Sequence, residues 1–309
     1  KEWGLNHVRF HSWCPPEAAF QAADEMGIYL QIETGMWNYF LKGGEMEQQL
    51  WLETERILDT FGNHPSFLML SSGNEPHGEY KPVVKEWVEK CRKRDNRHLY
   101  CAQSGWLWPQ PPEELNATDY FYTCSRYNTS KMRGREGWFG KDYNKYLEDL
   151  EAPFLSHELG QYCAYPDFRI IDKFTGYLRP GNLEVFRSLA ARHGLLKWNK
   201  DFVKASGRLQ FLAYKEEIEA NYRTSGFSGF SLLDLHDYLG QGGALVGFLD
   251  AFWDKKSYAN AKDFRHFCAP VVPLLRMRKV NYRTDEMFEA ELEVACYTKE
   301  EKLETNVLW

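Results

Sequence analysis

The sequence predicts an α/β fold, a (β/α)8 or TIM barrel, seven of whose eight strands lie in this chain. Short runs rich in β-branched and aromatic residues alternate with longer stretches of helical periodicity, which is typical of βα units around a parallel sheet. The chain has 309 residues, enough for one barrel and an appendage. Acidic and other polar residues follow the ends of several predicted strands, where barrel enzymes place their catalytic groups.

Seven strands and six helices are expected from the periodicity. The strands are predicted near residues 6–11, 28–33, 66–72, 98–103, 119–125, 153–158 and 228–234. The helices are predicted near residues 16–26, 46–61, 82–94, 141–150, 208–223 and 254–267. Lys1–Gly4 has the pattern of a last helical turn closed by glycine. Because eight strands close such a barrel, we expect its first strand to lie upstream of Lys1.

The chain divides into a large and a small part. Residues 1–269 are predicted to form the catalytic barrel, with an insertion at about 161–225 on the loop after strand seven. Loops at that position shape the substrate pocket of a barrel. After Pro270 the pattern changes to an alternating strand within Phe288–Cys296. Residues 270–309 are therefore predicted to begin a β-sandwich.

Composition and charge exclude several classes of partner. The net charge is −6 with scattered basic residues, so the positive field that attracts nucleic acid is absent. With 43% apolar residues and no apolar run of about 18, we expect a soluble protein without membrane contact. The seven cysteines form no Cys-x-x-Cys pair and are expected to be mostly buried thiols. A cytoplasmic or periplasmic location and a homo-oligomer both remain open. The glycine run Gly240–Gly243 does not open a helix, so we expect no nucleotide site there.

Two glutamates stand at predicted strand ends. Glu75 follows the buried-strand pattern Phe67-Leu-Met-Leu-Ser-Ser-Gly-Asn, and Glu158 follows Pro153-Phe-Leu-Ser-His in the same way. Cleavage of a glycosidic bond needs two carboxyl groups at one barrel mouth. One protonates the leaving oxygen, and the other attacks the anomeric carbon or activates water. The sequence therefore predicts a glycoside hydrolase.

The chain resembles the catalytic barrel of glycoside hydrolase family 2, the family of β-galactosidases, β-glucuronidases and β-mannosidases. Four segments carry the resemblance: Gly4–Trp13 for strand two, Ala23–Glu33 for the helix before strand three and that strand, His64–Glu75 for the acid/base motif, and Pro153–Gly160 for the nucleophile motif. The resemblance covers most of residues 1–160 and resumes at Gly229–Asp237.

The resemblance implies a retaining, exo-acting β-glycosidase that removes terminal sugars from oligosaccharides or glycoconjugates. It implies Glu158 as nucleophile and Glu75 as general acid and then general base, with the two carboxyl groups about 5–5.5 Å apart. Asn74 is expected to bind the sugar 2-hydroxyl. Upstream β-sandwich domains are also implied. The chemistry needs no cofactor, and no cluster has the spacing of metal ligands.

The chain departs from the family pattern beside both motifs. Leu159 stands where the family usually has tyrosine, and Leu70 stands where a tryptophan often precedes the acid/base motif. Leu232 or Leu233 replaces the usual tryptophan of strand eight. These changes leave both carboxylates intact, and they leave the sugar and its linkage open.

Further polar and aromatic side chains near strand ends are candidates for sugar binding. The substrate-binding candidates are Asn74, Arg9, His11, Trp13, Glu33, Trp106, Tyr122, Tyr127, His157, Asp234 and His236. For Arg9, His11 and Glu33, a purely structural ion-pair network is an equal alternative. For the tryptophans, including Trp37 and Trp108, packing of the loops is the alternative.

Two details concern the surroundings of Glu158. Either Tyr122 or Tyr127 is expected to hydrogen-bond its carboxylate. His157-Glu158 does not start a zinc-protease helix, because position 161 is glutamine rather than a second histidine.

Two other functions fit the same pattern. A non-catalytic sugar-binding barrel would have the two carboxyl groups more than about 7 Å apart or locked in structural ion pairs. An endo-acting glycanase would bind its substrate in an open cleft, in place of the closed pocket of an exo-acting enzyme.

Overall fold

The computed structural model describes residues 1–106, 117–123, 140–147, 150–240 and 243–298, and the secondary structure below refers to these. The strands are β1 His7–Arg9, β2 Tyr29–Glu33, β3 Tyr39–Phe40, β4 Phe67–Ser71, β5 His77–Gly78, β6 Leu99–Cys101, β7 Ser104–Gly105, β8 Phe121–Thr123, β9 Phe154–Leu159, β10 Phe227–Leu232, β11 Val271–Met277 and β12 Ala290–Cys296. The α-helices are α1 Glu17–Met26, α2 Glu45–Phe61, α3 Tyr80–Arg94, α4 Asn144–Leu147, α5 Gly181–Arg192, α6 Asn199–Tyr222 and α7 Ala261–Phe264. Two 3₁₀ helices span Phe168–Lys173 and Leu196–Trp198.

Two four-stranded parallel sheets form the centre of this mixed α/β fold. Their strand orders are β1-β2-β4-β6 and β10-β9-β8-β7. Only Ala102 and Gln103 separate β6 from β7, so the second sheet continues from the first. All seven predicted central strands are confirmed. The sheets contain eight strands because the strand predicted at 98–103 is observed as β6, which is followed after a two-residue interruption by β7; we count β6 and β7 as one interrupted strand. The outer strands, β1 and β10, line a cavity of about 280 Å³ that lies between them.

Helices α1 to α3 cover the first sheet with amphipathic faces. Phe20 of α1, Leu50 of α2 and Trp87 of α3 are fully buried in one hydrophobic cluster with residues of β2, β4 and β6. Burying each such side chain contributes roughly 1.5–3 kcal/mol. Helix α1 ends at Met26 and is capped by Gly27, whose φ of 62° lets the following Ile28 N–H bond the carbonyl of Ala23 at 3.0 Å.

The insertion after β9 contains α5, α6 and both 3₁₀ helices. Helix α6 packs against β9 and buries Phe211, Tyr214 and Ile218 in a second hydrophobic cluster. It begins at Asn199, not near residue 208 as the periodicity suggests. Gly207 weakens the helical pattern, yet the packing needs it because a Cβ there would lie 2.2 Å from Tyr258.

Lys1–Gly4 is a turn in which the Gly4 N–H bonds the Lys1 carbonyl and Gly4 has a positive φ of 85°, as expected for a glycine cap; the helix that it would close stays a prediction. Two other local predictions need correction or addition. The helix predicted at 254–267 is reduced to α7, because Lys256 is held in a loop by its ion pair with Asp237. The short parallel pair of β3 and β5 is not predicted by the sequence.

Beyond the parallel sheets, β11 and β12 form an antiparallel pair that runs from Val271 opposite Cys296 to Met277 opposite Ala290. The predicted strand in this segment is thus present, and the β-sandwich itself stays a prediction. Of six cysteines in the described ranges, Cys91, Cys101 and Cys268 are buried, and all six are free thiols. No helix within the described ranges is long and apolar enough to cross a membrane.

Candidate active site

Glu75 is positioned by close backbone contacts at the end of β4. The Asn74 N–H bonds the Met36 carbonyl at 2.9 Å, and the Glu75 N–H bonds the Ser104 carbonyl at 2.8 Å. Gly105 leaves room for the glutamate, since a Cβ at that position would lie 2.5 Å from Cγ of Glu75. The contacts with Met36, Ser104 and Gly105 therefore fix the position of Glu75 just after β4.

Glu158 lies near the end of β9, with the same unusual backbone as Glu75. Their φ angles are 47° and 41°, in the left-handed region that side chains other than glycine rarely adopt. Within the described ranges only Gln161 and Trp253 are the other non-glycine residues with positive φ. Such conformations cost about 1–3 kcal/mol and cluster at functional sites.

Arg9 links the two motifs. Its Nη1 donates to Oε1 of Glu158 at 3.0 Å, and its Nη2 donates to Oδ1 of Asn74 at 2.7 Å. Nε and Nη2 also donate to the two oxygens of Glu33 at 2.7 and 2.9 Å. Glu33 is fully buried, so its carboxylate is held in place and anchors the guanidinium.

The side-chain amide of Asn74 has a fixed orientation. Its Oδ1 accepts from Arg9 and from Nε2 of His157, the latter at 3.0 Å. His157 Nε2 also lies 3.4 Å from Oε1 of Glu158, so two acceptors face this nitrogen and it carries the proton. With Oδ1 occupied, the Asn74 amide nitrogen is the group left to donate toward a ligand.

The carboxylate of Glu158 is contacted on both oxygens. Besides Arg9 on Oε1, the amide Nε2 of Gln161 donates to Oε2 at 3.2 Å. His11 Nε2 lies 3.8 Å from Oε1. Burial lowers the pKa of His11 and the nearby Arg9 charge lowers it further, which favours a neutral ring. Sequence reasoning missed Gln161, whose only signal is its position three residues after Glu158.

Tyr122 is near Glu158, and its hydroxyl pairs with the hydroxyl of Ser231. The Ser231 Oγ in turn accepts from the Glu158 N–H at 3.4 Å. The ring of Tyr122 packs edge-on against His157 at 5.2 Å and lies 5.4 Å from the Arg9 guanidinium. Burial raises the pKa of Tyr122, so its hydroxyl stays protonated. Ser231 is a second residue that sequence reasoning missed.

Arg9 stays charged in this setting. Burial opposes its charge, but Glu33, with smaller contributions from Tyr122 and Glu158, favours it, and together these neighbours raise the pKa of Arg9. The surrounding side chains thus hold a permanent cation between Asn74 and Glu158.

Asp234 and His236 follow the end of β10. The Leu233 N–H bonds the Leu159 carbonyl at 3.2 Å, which puts Asp234 beside the nucleophile motif of β9. Burial raises the pKa of Asp234, His236 lowers it, and the charge of Glu158 raises it further. The ring of His236 packs on Trp253 at 4.4 Å.

Exposed aromatic side chains lie on the loops beyond the strands. Trp13 and Trp37 are 49% exposed, and the ring of Trp37 packs edge-on against His11 at 4.8 Å. Trp106 is held by a hydrogen bond from its Nε1 to the Pro76 carbonyl at 2.9 Å. Trp253, 61% exposed, is an aromatic residue that the sequence analysis did not single out.

Of the predicted site residues, the structure thus brings Asn74, Glu33, His11, His157 and Tyr122 close to Arg9 or Glu158. Tyr127 and Trp108 lie outside the described residues. Within the ranges that are described, no group of three or more His, Cys, Asp or Glu side chains could hold a metal ion.

Comparison with known proteins supports the fold. No protein-family model matches the chain, and no curated protein matches it. A GH2 β-galacturonidase from Eisenbergiella tayi, solved with galacturonate, is 17% identical with a TM-score of 0.58, over 86% of this chain and 45% of that one. A Bifidobacterium dentium β-glucuronidase complexed with coumarin-3-O-glucuronide is 14% identical with a TM-score of 0.58, over 85% of this chain and 41% of that one.

A β-glucuronidase from Parabacteroides merdae is 13% identical with a TM-score of 0.54, over 89% of this chain and 36% of that one. The chain spans less than half the length of each of these three structures. The likeness shows that the chain shares its fold with part of several β-glycosidases.

Proposed function

We propose that this chain carries the active site of a retaining, exo-acting β-glycosidase. Glu158 is the nucleophile, and Glu75 is the general acid and then the general base. The substrate is a terminal sugar of an oligosaccharide or glycoconjugate, and the reaction uses no cofactor. The shared fold with β-glycosidases supports the reaction class.

One observation carries the proposal: Arg9 binds Glu158 and Asn74 at once. Asn74 precedes Glu75, so this contact ties the two catalytic motifs into one site although they come from different sheets. The left-handed backbone of both glutamates supports the same assignment, because strain of this kind is kept where function requires it.

The residues present can perform a double displacement. In the first step Glu75 gives its proton to the leaving oxygen while the bond from that oxygen to C1 breaks and a bond forms between C1 and a Glu158 oxygen. In the second step Glu75 takes a proton from water, whose oxygen attacks C1 and releases Glu158 as a carboxylate. Arg9 orients the nucleophile, and the Asn74 amide donates to the 2-hydroxyl.

We also propose that the seven parallel strands belong to a (β/α)8 barrel. Their parallel order over two consecutive sheets and the fold shared with β-glycosidases support this arrangement. The insertion at 161–225, with helices α5 and α6, would close one side of the pocket, as an exo-acting enzyme requires. Residues 270–309 would begin a β-sandwich.

The test is chemical rescue. Turnover of aryl β-galactosides, glucosides, mannosides, glucuronides, galacturonides, glucosaminides and arabinosides identifies a substrate. Glu158→Ala should abolish its hydrolysis, and azide should restore cleavage and give a glycosyl azide of inverted configuration. Ordinary hydrolysis by Glu158→Ala would overturn the assignment. The matched control is Glu289→Ala, which changes an exposed glutamate before β12 and should retain full activity.

A further inference from the structure

Asp234 differs from the other acidic side chains at this site in the hydrogen bonds that its carboxylate accepts. Glu33 accepts from Arg9 and Ser12, and Glu158 accepts from Arg9 and Gln161. Within the described ranges, no hydrogen bond or ion pair reaches the carboxylate of Asp234. It is partly buried, so water satisfies it only in part.

A partly buried carboxylate without a protein partner is costly, and such groups are kept where a ligand supplies the missing contact. Among the described residues, His236, Glu158, Arg9 and His11 act most strongly on the charge of Asp234, and all four belong to the proposed active site. The hydrogen bond from the Leu233 N–H to the Leu159 carbonyl also places Asp234 beside Glu158. Since no described side chain donates to Asp234, we expect a donor from the bound sugar.

The charges near Asp234 decide which kind of donor fits. Arg9 already makes four hydrogen bonds, to Glu33, Glu158 and Asn74, so its guanidinium has little left to offer a ligand. Glu158 on β9 and Asp234, which follows the neighbouring strand β10, together present two carboxylates. A sugar carboxylate placed against them would meet like charge, whereas a sugar hydroxyl would donate a hydrogen bond.

Resting on the proposed function, we propose that Asp234 is a specificity-determining residue that accepts a hydrogen bond from a hydroxyl of the bound sugar and disfavours uronic acids. The chain would then prefer neutral glycosides. Its structural neighbours, a galacturonidase and a glucuronidase, are named for acidic sugars, so the preference would differ from theirs.

The test compares kcat/KM for neutral aryl β-glycosides and for the matching β-uronides in three forms of the chain: wild type, Asp234→Asn and Asp234→Ala. Wild type should favour neutral substrates by at least about tenfold. Both variants should lose about 10- to 100-fold on neutral substrates, as expected when a charged hydrogen bond is removed. Both variants should lose much less kcat/KM on uronides. The ratio of kcat/KM for neutral glycosides to kcat/KM for uronides should therefore decrease. Asp285→Asn, at an exposed ion pair with Arg283, is the matched control.

Three results would contradict the inference. Wild type could prefer uronides, or Asp234→Asn could keep full activity on neutral substrates. Equal losses on both substrate sets, with circular dichroism showing an intact fold, would indicate a general structural role. If wild type cleaves no glycoside at all, the proposed function itself fails and the inference falls with it. Cleavage that is insensitive to Asp234 overturns the inference alone.

Discussion

Arg9 donates from Nη1 to Oε1 of Glu158 at 3.0 Å, although 149 positions separate the two residues in the sequence. The same guanidinium is held by the buried carboxylate of Glu33. A chain of three charges therefore runs from the core of the fold to the proposed nucleophile. Activity and stability should both respond to changes in this chain of charges and in the backbone beside it.

Replacing Arg9 tests the chain of charges directly. Arg9→Lys keeps the charge but cannot make the four hydrogen bonds of the planar guanidinium. We expect kcat/KM to fall by about 100-fold or more, because misplaced catalytic groups cost rates of that order. Arg9→Met should also destabilise the fold by about 3–5 kcal/mol, since Glu33 is left as an unpaired buried charge.

The measurements are steady-state kinetics and urea unfolding. Arg283→Lys changes an exposed arginine on the segment between β11 and β12 and should alter neither quantity. Full activity in Arg9→Lys would show that Glu158 does not need this contact.

Replacing Gly105 tests the placement of Glu75, the proposed general acid. A Cβ there would lie 2.5 Å from Cγ of Glu75, so Gly105→Ala should displace the carboxyl group. We expect the loss in kcat/KM to be about tenfold or more for substrates with poor leaving groups, because these depend on proton donation. Dinitrophenyl glycosides, which leave without a proton, should lose much less.

The control for this variant is Gly194→Ala. Gly194 also has a positive φ, 67°, but an added Cβ meets nothing within 4 Å. It therefore places a Cβ at another position of positive φ without the contact. Equal losses for both leaving groups in Gly105→Ala would contradict the assignment of Glu75 as the acid.

Replacing Gln161 tests the second side-chain contact of Glu158, the proposed nucleophile. Gln161→Glu has the same shape but places a like charge 3.2 Å from Oε2 of Glu158 in place of an amide donor. We expect kcat/KM near neutral pH to fall by about tenfold or more, with partial recovery at acid pH as the new carboxyl group is protonated. A pH–rate profile measures both effects.

Gln21→Glu is the matched control, since Gln21 also donates its amide to a glutamate, Glu17, but on the exposed face of α1. An unchanged pH–rate profile for Gln161→Glu would show that this contact is incidental to the reaction.

His7 makes stability depend on pH. Burial lowers its pKa to about 4, with a smaller contribution from the Arg9 charge. An unfolded histidine titrates near 6.5. Between these values the unfolded chain binds more protons than the folded one, so this group makes stability fall as the pH falls from about 6.5 to about 4.

Urea midpoints at pH 7 and pH 4.5 measure the effect. The decrease between the two pH values should be smaller in His7→Gln than in wild type. His193→Gln changes an exposed histidine after α5 and should leave the wild-type decrease intact. An equal decrease in wild type and His7→Gln would contradict the prediction.

Much of the fold could be predicted because hydrophobic periodicity reports local structure. The seven parallel strands follow from short apolar runs, and α1 follows from its amphipathic pattern and Gly27. The start of α6 could not be predicted, because Gly207 weakens the helical pattern and its benefit is a contact with the distant Tyr258. Lys256 likewise opposes a predicted helix through a partner from another segment, Asp237.

The candidate site was likewise predictable only in part. Glu75 and Glu158, the proposed catalytic pair, could be singled out because each stands in a recognisable strand-end motif. The partners Ser231 and Gln161 could not, since Ser231 meets Glu158 only through the parallel pairing of β10 with β9. The pairing of the Tyr122 hydroxyl with Ser231 likewise depends on side chains 109 positions apart.

The most direct test of the account is to trap the glycosyl-enzyme intermediate. The 2-deoxy-2-fluoro analogue of the best substrate, with a dinitrophenyl leaving group, should inactivate the enzyme and add one sugar to it. Peptide mass spectrometry should then find that sugar on Glu158. A label on another carboxylate, or hydrolysis of the natural sugar with inverted configuration, would contradict Glu158 as the nucleophile of a retaining enzyme.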